Sequence, residues 1–171
     1  MKGYIHVYTG NGKGKTTAGM GLMIRALGHG LKVYMGQFMK GQRYGELNTL
    51  EKLGISIERF GTENCIISPE HVTDFDLAKA KEGYKKVEEV LLSKKYDLVV
   101  LDEVCVSTYF NLITVDEILH LMKIKPEETE LVLTGRYAPK EVIEAADLVT
   151  EMKEIKHYYN CGVMARDGIE R

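Results

Sequence analysis

Thr9-Gly10-Asn11-Gly12-Lys13-Gly14-Lys15-Thr16-Thr17 is the stretch on which the fold turns. An apolar, alternating run, Tyr4 to Tyr8, precedes it, and a helix-like run, Thr17 to Leu27, follows. Strand, glycine-rich turn and helix N-terminus in that order make an anion cradle. The glycines let successive backbone N–H groups turn inward, and the helix start adds partial positive charge. Gly14-Lys15-Thr16 is the core of a Walker A loop, in which Lys15 reaches phosphate oxygens and Thr16 offers its hydroxyl to Mg²⁺. The pattern asks for glycine five residues before Gly14, where this chain has Thr9, so Gly10 and Gly12 are expected to supply the missing freedom. The strand before and the helix after are the context that separates this motif from an ordinary glycine-rich turn.

Downstream the patterns alternate. Lys15 to about Gly28 reads as a helix, stopped by Gly28-His29-Gly30, and Lys32 to Phe38 as a strand. Gly45 to Leu53 reads as a short helix and Ile55 to Phe60 as a strand. Ser68-Pro69-Glu70 has the form of a helix start, and Phe75 to Leu91 keeps helical apolar spacing. Leu98-Val99-Val100-Leu101 is a continuous apolar run, the signature of a strand buried on both faces. Thr114-Val115-Asp116-Glu117 has capping-box spacing and opens a helix to about Met122. Glu130 to Thr134 (strand), Pro139 to Ala145 (helix) and Leu148 to Met152 (strand) lead to a tail from Lys153 to Arg171. Strands alternating with helices require crossover connections, so the expected fold is α/β: a mainly parallel sheet with helices on both faces. Residues 1–171 then form a single P-loop nucleotide-binding domain, with its ligand beyond the carboxyl ends of the strands.

Composition narrows the partners. A net charge of −2 offers no basic footprint for nucleic acid. No apolar run is long enough to span a membrane, and Met1-Lys2-Gly3 leads straight into a strand pattern without a signal peptide. Cys65, Cys105 and Cys161 are scattered, which argues for a reducing, cytoplasmic setting and against a disulfide framework or zinc knuckle. The five histidines show no metal-ligand spacing.

Charged groups gather at strand ends. Asp102-Glu103 follows the buried run, as an acid does where a phosphate-binding α/β domain holds Mg²⁺. Neighbouring side chains of a strand point to opposite sides, so one of the two is expected to face the loop. Arg136, in Thr134-Gly135-Arg136, is either a phosphate or ribose ligand with forked donors or an exposed turn arginine. Lys40, in Gln37-Phe38-Met39-Lys40-Gly41, is either another phosphate ligand or a solvated lysine. Arg25, three turns along the first helix, lies too far away to share the cradle.

These segments occur in order with Arg25-Ala26-Leu27-Gly28-His29-Gly30, Gly45-Glu46-Leu47-Asn48, Ala146-Asp147-Leu148-Val149-Thr150-Glu151-Met152, Ile155-Lys156-His157 and Gly162-Val163-Met164-Ala165-Arg166-Asp167-Gly168-Ile169-Glu170. Together they resemble the P-loop ATP:corrinoid adenosyltransferase (cob(I)alamin adenosyltransferase) family over nearly the whole chain. That family also starts its loop without glycine, so Thr9 fits it. The resemblance implies a RecA-like P-loop domain, usually a cytoplasmic homodimer, that moves the 5′-deoxyadenosyl group of ATP to reduced cobalt. The corrinoid substrate is cob(I)alamin or cobyrinic acid a,c-diamide, with a flavodoxin-type reductase as electron donor. Triphosphate leaves intact, and the γ-phosphate lies deep in the loop. Carried over by residue, Gly10, Asn11, Gly12, Lys13, Gly14, Lys15, Thr16, Thr17 and Arg136 hold ATP. Thr16 and Glu103 hold Mg²⁺ (or Mn²⁺), and Lys15 and Glu103 are the catalytic residues.

Two departures stand out. Well-described members carry Phe and Trp after the third strand, to displace the lower ligand of the corrinoid. Here that segment is Gly61 to Ser68 and the chain has no tryptophan, leaving Ile66 and Ile67 as apolar wedges or the loop as surface structure. The chain also begins almost at its first strand, so a partner subunit or the Tyr158-Tyr159 tail is expected to cover the site. A P-loop ATPase or kinase cleaving the β–γ bond, and a non-catalytic ATP-binding regulator, are the competing readings.

Overall fold

The computed structural model describes residues 2–41, 45–63 and 66–170. Its centre is a six-stranded sheet: β1 (Ile5–Thr9), β2 (Val33–Phe38), β3 (Ser56–Phe60), β4 (Leu98–Asp102), β5 (Glu130–Thr134) and β6 (Leu148–Glu151). The order across the sheet is β3-β2-β4-β5-β1-β6. Every pairing is parallel, with Met35 beside Val100, Val100 beside Val132, and Val7 beside both Leu133 and Val149. The architecture is the α/β arrangement of a RecA-like P-loop domain. β4 is buried at all its positions, as its unbroken apolar run requires.

Alternation divides the core into two layers. Met35, Val100 and Val132 point toward Met23 and Ala26 of α1 (Lys15–Leu27) and Leu50 of α2 (Gly45–Lys52). Tyr34, Val99, Leu101, Leu131 and Leu133 point the other way. They meet Ala80, Val87 and Leu91 of α3 (Asp74–Leu92), α4 (Val104–Tyr109), Ile118 and Leu121 of α5 (Val115–Ile124), and Val142 of α6 (Lys140–Ala145).

Local chemistry sets the helix ends. Thr114 and Glu117 form the capping box read from sequence, with Thr114 N donating to Glu117 Oε2 at 2.8 Å and Glu117 N to Thr114 Oγ1 at 3.2 Å. The helix start expected at Ser68-Pro69-Glu70 is corrected: Pro69–His71 makes one 3-10 turn, and Val72 is extended again. α3 is opened instead by Thr73, whose hydroxyl accepts from Asp76 N while Thr73 N donates to Asp76 Oδ2. Two orphan donors are satisfied reciprocally there, whereas Ser68 caps nothing with its side chain. Among the described residues, no helix is long and apolar enough to cross a membrane.

Candidate functional site

The loop from Thr9 to Thr17 lies where β1 gives way to α1, with Gly14 at φ +118° as the N-cap. Among the described residues no side chain caps this helix, which leaves its first amides for a ligand. A Cβ at Gly14 would meet only Met152 Sδ, at 3.5 Å; glycine is needed there for its dihedral, not for space. Gly10, at φ +99°, needs glycine for its dihedral as expected and also for space, whereas Gly12 needs it for space alone. A Cβ on them would sit 2.4 and 2.8 Å from the Met152 carbonyl, and Gly12 N donates to that oxygen at 2.7 Å. The Gly12 amide is therefore spent on the chain leaving β6, and the cradle consists of the amides from Lys13 onward. Thr9, the residue departing from the generic motif, is a strut. Its hydroxyl accepts from Ala138 N and its carbonyl from Met152 N.

Lys15 folds over the loop and donates to Gly10 O and Gly12 O, both at 2.8 Å. Burial, with the Arg136 charge nearby, holds its pKa below the usual lysine value. An ammonium has three donors, so these two bonds leave one for a ligand oxygen.

Asp102 and Glu103 divide the work expected of the acidic pair. Asp102 is fully buried and takes four donors. Thr16 Oγ1 (2.8 Å) and Thr134 Oγ1 (2.7 Å) reach one oxygen, and Lys40 Nζ (2.8 Å) and Gln37 Nε2 (3.3 Å) the other. A carboxylate has about four lone-pair sites, so Asp102 has little left to offer a cation directly. It does orient Thr16: with the O–H given to Asp102, the lone pairs of Thr16 are free for a metal. Lys40 is thus not a solvated loop lysine: it pairs with Asp102 and lines the same cavity as the loop. Burial opposes its charge, but the Asp102 carboxylate more than offsets this and holds its pKa above the usual value. Gln37 Oε1, behind this pair, is buried with no hydrogen-bond partner among the described residues, a cost of about 1–3 kcal/mol.

Glu103 leaves the strand. At φ +59° it has the left-handed backbone of an N-cap before α4, and its N–H donates to Thr134 Oγ1 at 3.1 Å. That twist breaks the alternation and brings its side chain to the cavity wall, so both acids serve the same end of the sheet. Burial, then the neighbouring Asp102 charge, raises the Glu103 pKa, against the pull of Lys40 and Lys15.

These groups open onto a cavity of about 700 Å³. Lys13, Lys15, Thr16, Thr17 and Gly14 line one side, and Lys40, Glu46, Thr49, Glu103 and Arg136 line others. Arg136 is brought to the site by the sharp turn at Gly135, φ +140°, where any Cβ would strike Val106 N at 2.8 Å. The remaining wall comes from the tail: His157, Gly168, Ile169 and Glu170. Sequence reasoning assigned no role to Thr134, Gln37 or Glu170; the tail signature was visible, but the partner it meets was not. Of the two apolar candidates after β3, Ile66 packs against the core and Ile67 is exposed. Asn64 and Cys65 lie outside the described residues.

The donor set suits a hard divalent cation: the Thr16 hydroxyl oxygen, the Glu103 carboxylate and phosphate oxygens of a ligand. Among the described residues, no three His, Cys, Asp or Glu side chains are placed to hold a metal by themselves. Magnesium sites built from one or two carboxylates plus substrate phosphates have that character.

The whole chain, residues 1–171, matches the family described as ATP:corrinoid adenosyltransferase BtuR/CobO/CobP. A corrinoid adenosyltransferase of Escherichia coli (strain K12) is 34% identical over 170 residues, covering 99% of this chain and 86% of that protein. One from Sinorhizobium sp is 38% identical over 172 residues, covering 99% of this chain and 80% of that protein. Corrinoid adenosyltransferase CobA of Salmonella typhimurium is 33% identical over 170 residues, covering 99% and 86%. With a phosphate loop, an oriented threonine and an acidic strand end inside a match of that extent, the chain belongs to the ATP:corrinoid adenosyltransferase family.

Proposed function

We propose that this chain transfers the 5′-deoxyadenosyl group of ATP to the reduced cobalt of a corrinoid and releases triphosphate. The observation that carries this reading is the family match across residues 1–171, with the phosphate loop and the acidic strand end opening on one cavity. The cobalt of the corrinoid is the nucleophile. Its electron pair forms the Co–C bond at C5′, the C5′–O bond breaks, and the bonding pair leaves with the triphosphate. The protein therefore has to hold C5′ in line with cobalt and offset charge on the leaving group. In this reading the amides from Lys13 to Thr17, the ammonium groups of Lys13 and Lys15, and Arg136 hold the triphosphate. The site is read as a grip on a leaving group.

Thr16 and Glu103 are the proposed ligands of Mg²⁺ or Mn²⁺, with Asp102 orienting the threonine. The cation, when bound, supplies charge neutralisation on phosphate oxygens. Ile67, exposed on the loop after β3, is the proposed apolar contact to the corrinoid. A homodimer, a reductase of flavodoxin type as electron donor and a cytoplasmic setting complete the reading. The free thiols of Cys105 and Cys161 suit that compartment.

The test is product analysis. Protein with ATP, Mg²⁺ and chemically reduced corrinoid should form a light-sensitive alkylated corrinoid and stoichiometric triphosphate, followed by visible absorbance and phosphorus NMR. Release of phosphate or diphosphate without alkylated corrinoid would overturn the proposal.

A further inference from the structure

The C-terminal strap places a carboxylate on the wall of a cavity proposed to hold triphosphate. Glu170 lines that cavity with Lys13 and Lys15, and its side chain is only 16% exposed. An anion beside an anion site is a contradiction unless its charge is taken up, and three donors take it up. Lys13 Nζ donates to Glu170 Oε1 at 2.6 Å. Tyr158 OH donates to the same oxygen while accepting from Lys13 Nζ at 2.9 Å. Arg166 gives both edges of its fork, Nε to Oε2 and Nη2 to Oε1, each at 3.2 Å, and adds its backbone N–H at 2.8 Å.

That constellation is how proteins bind a phosphate: a lysine point charge, a hydroxyl and a bidentate arginine around one tetrahedral or planar oxyanion. The donors are also braced independently of Glu170. Arg166 lies over the Tyr158 ring at 4.9 Å and Lys13 over it at 5.6 Å. Tyr158 begins a 3-10 turn whose cap is the His157 ring, accepting from Tyr159 N at 3.1 Å. The chain reverses at Gly162, φ +85°, and again at Gly168, φ +75°, which returns Glu170 to the loop.

We propose that Lys13, Tyr158 and Arg166 form a second oxyanion subsite at the rim of the phosphate loop. The strap's own Glu170 fills it, and a polyphosphate group displaces Glu170. The proposal rests on the reading that the loop holds triphosphate and adds to it a rim site and an internal competitor. Exchange of carboxylate for phosphate conserves every donor, since the same lysine, hydroxyl and guanidinium serve either anion. Because Lys13 and Arg166 are partly exposed, the competition should weaken as salt screens both anions.

Titration calorimetry with inorganic tripolyphosphate and with ATP tests this on the full chain. Glu170→Gln, which keeps the shape and removes the charge, should bind tripolyphosphate about two- to fivefold tighter at low salt, the range set by one exposed ion pair. Adding Arg166→Ala to that variant should remove the gain. A second readout is the carboxyl carbon signal of Glu170 in NMR: tripolyphosphate should move its titration midpoint up toward the ordinary glutamate value. Unchanged or weaker tripolyphosphate binding in Glu170→Gln, or an unmoved Glu170 midpoint in the saturated wild type, would overturn the rim site alone. Wild-type protein that binds neither ATP nor tripolyphosphate would overturn the triphosphate reading and the rim site together.

Discussion

Asp102 and Glu103 are adjacent in sequence and unlike in surroundings, and this separates what their loss should do. Asp102 takes four donors inside the protein, one of them the Lys40 ammonium. Asp102→Ala strands that buried charge, and loss of one partner of a buried pair costs about 3–5 kcal/mol. Glu103 is the reverse case, a carboxylate whose burial disfavours its charge. Glu103→Gln should leave the urea midpoint unchanged or higher. The same variant should lose Mn²⁺ binding in the presence of ATP, read by electron paramagnetic resonance. Full Mn²⁺ binding in Glu103→Gln would remove the residue from the proposed metal site. The thiols give a simpler contrast. Burial pushes the Cys105 thiol up to about 12, while Cys161 is exposed. Iodoacetamide at neutral pH should label Cys161 and spare Cys105 until the protein is unfolded, as peptide mass mapping will show. At this scale the sequence was readable for residue type and unreadable for partner: Asp102-Glu103 announced an acidic strand end, but only the positive φ of Glu103 distributes the roles.

Among the elements, α3 shows one local signal overriding another. Ser68-Pro69-Glu70 has helix-start chemistry, yet it yields a single 3-10 turn because Thr73 and Asp76 cap the longer helix five residues on. Asp76 also accepts from Thr62 Oγ1 at 2.6 Å, tying the helix start to the loop after β3. Further along α3, Gly83 lies against Phe60, where an added Cβ would come 2.5 Å from the ring. Gly83→Ala would raise helix propensity by about 1 kcal/mol on an exposed surface. Here the clash should win, with destabilisation of about 1–3 kcal/mol in chemical denaturation. A variant as stable as the parent would show that Phe60 moves aside freely. α4 was not anticipated at all. Val104-Cys105-Val106 has the composition of a strand, and helix follows only because Glu103 reverses the backbone immediately after β4.

Across the whole molecule, the ionisable groups make acid the destabilising direction. Asp76 is held below the ordinary carboxylate range by Thr62 and Thr73 donors despite its burial, and Glu117 by Lys81 and Thr114 despite its own. Arg166 and Lys13 do the same for Glu170. A carboxylate with a depressed folded pKa contributes stability that is present above its unfolded value and lost as pH falls through the folded one. Glu103, raised by burial, works the other way, since its cost fades as it gains a proton. With Glu70, lowered by the Ser68 hydroxyl, four groups against one predict a urea midpoint that declines as pH drops below the ordinary carboxylate range. A midpoint that rises instead would mean the Glu103 contribution outweighs the others.

The sequence by itself determined the alternation of strands and helices, the parallel sheet and the place of the phosphate loop. Those depend on periodicity and on glycine, which act over a few neighbouring residues. It also carried the family resemblance over nearly the whole chain. Only the tertiary structure decided that Gly10 and Gly12 make room for the Met152–Lys153 backbone. It alone set Asp102 behind Thr16 with Lys40 and Gln37, and Glu170 on Lys13 across 157 residues. The physical reason is shared. Each of these pairings depends on where distant segments cross, and crossing points follow from how the two layers pack on the sheet rather than from any local preference.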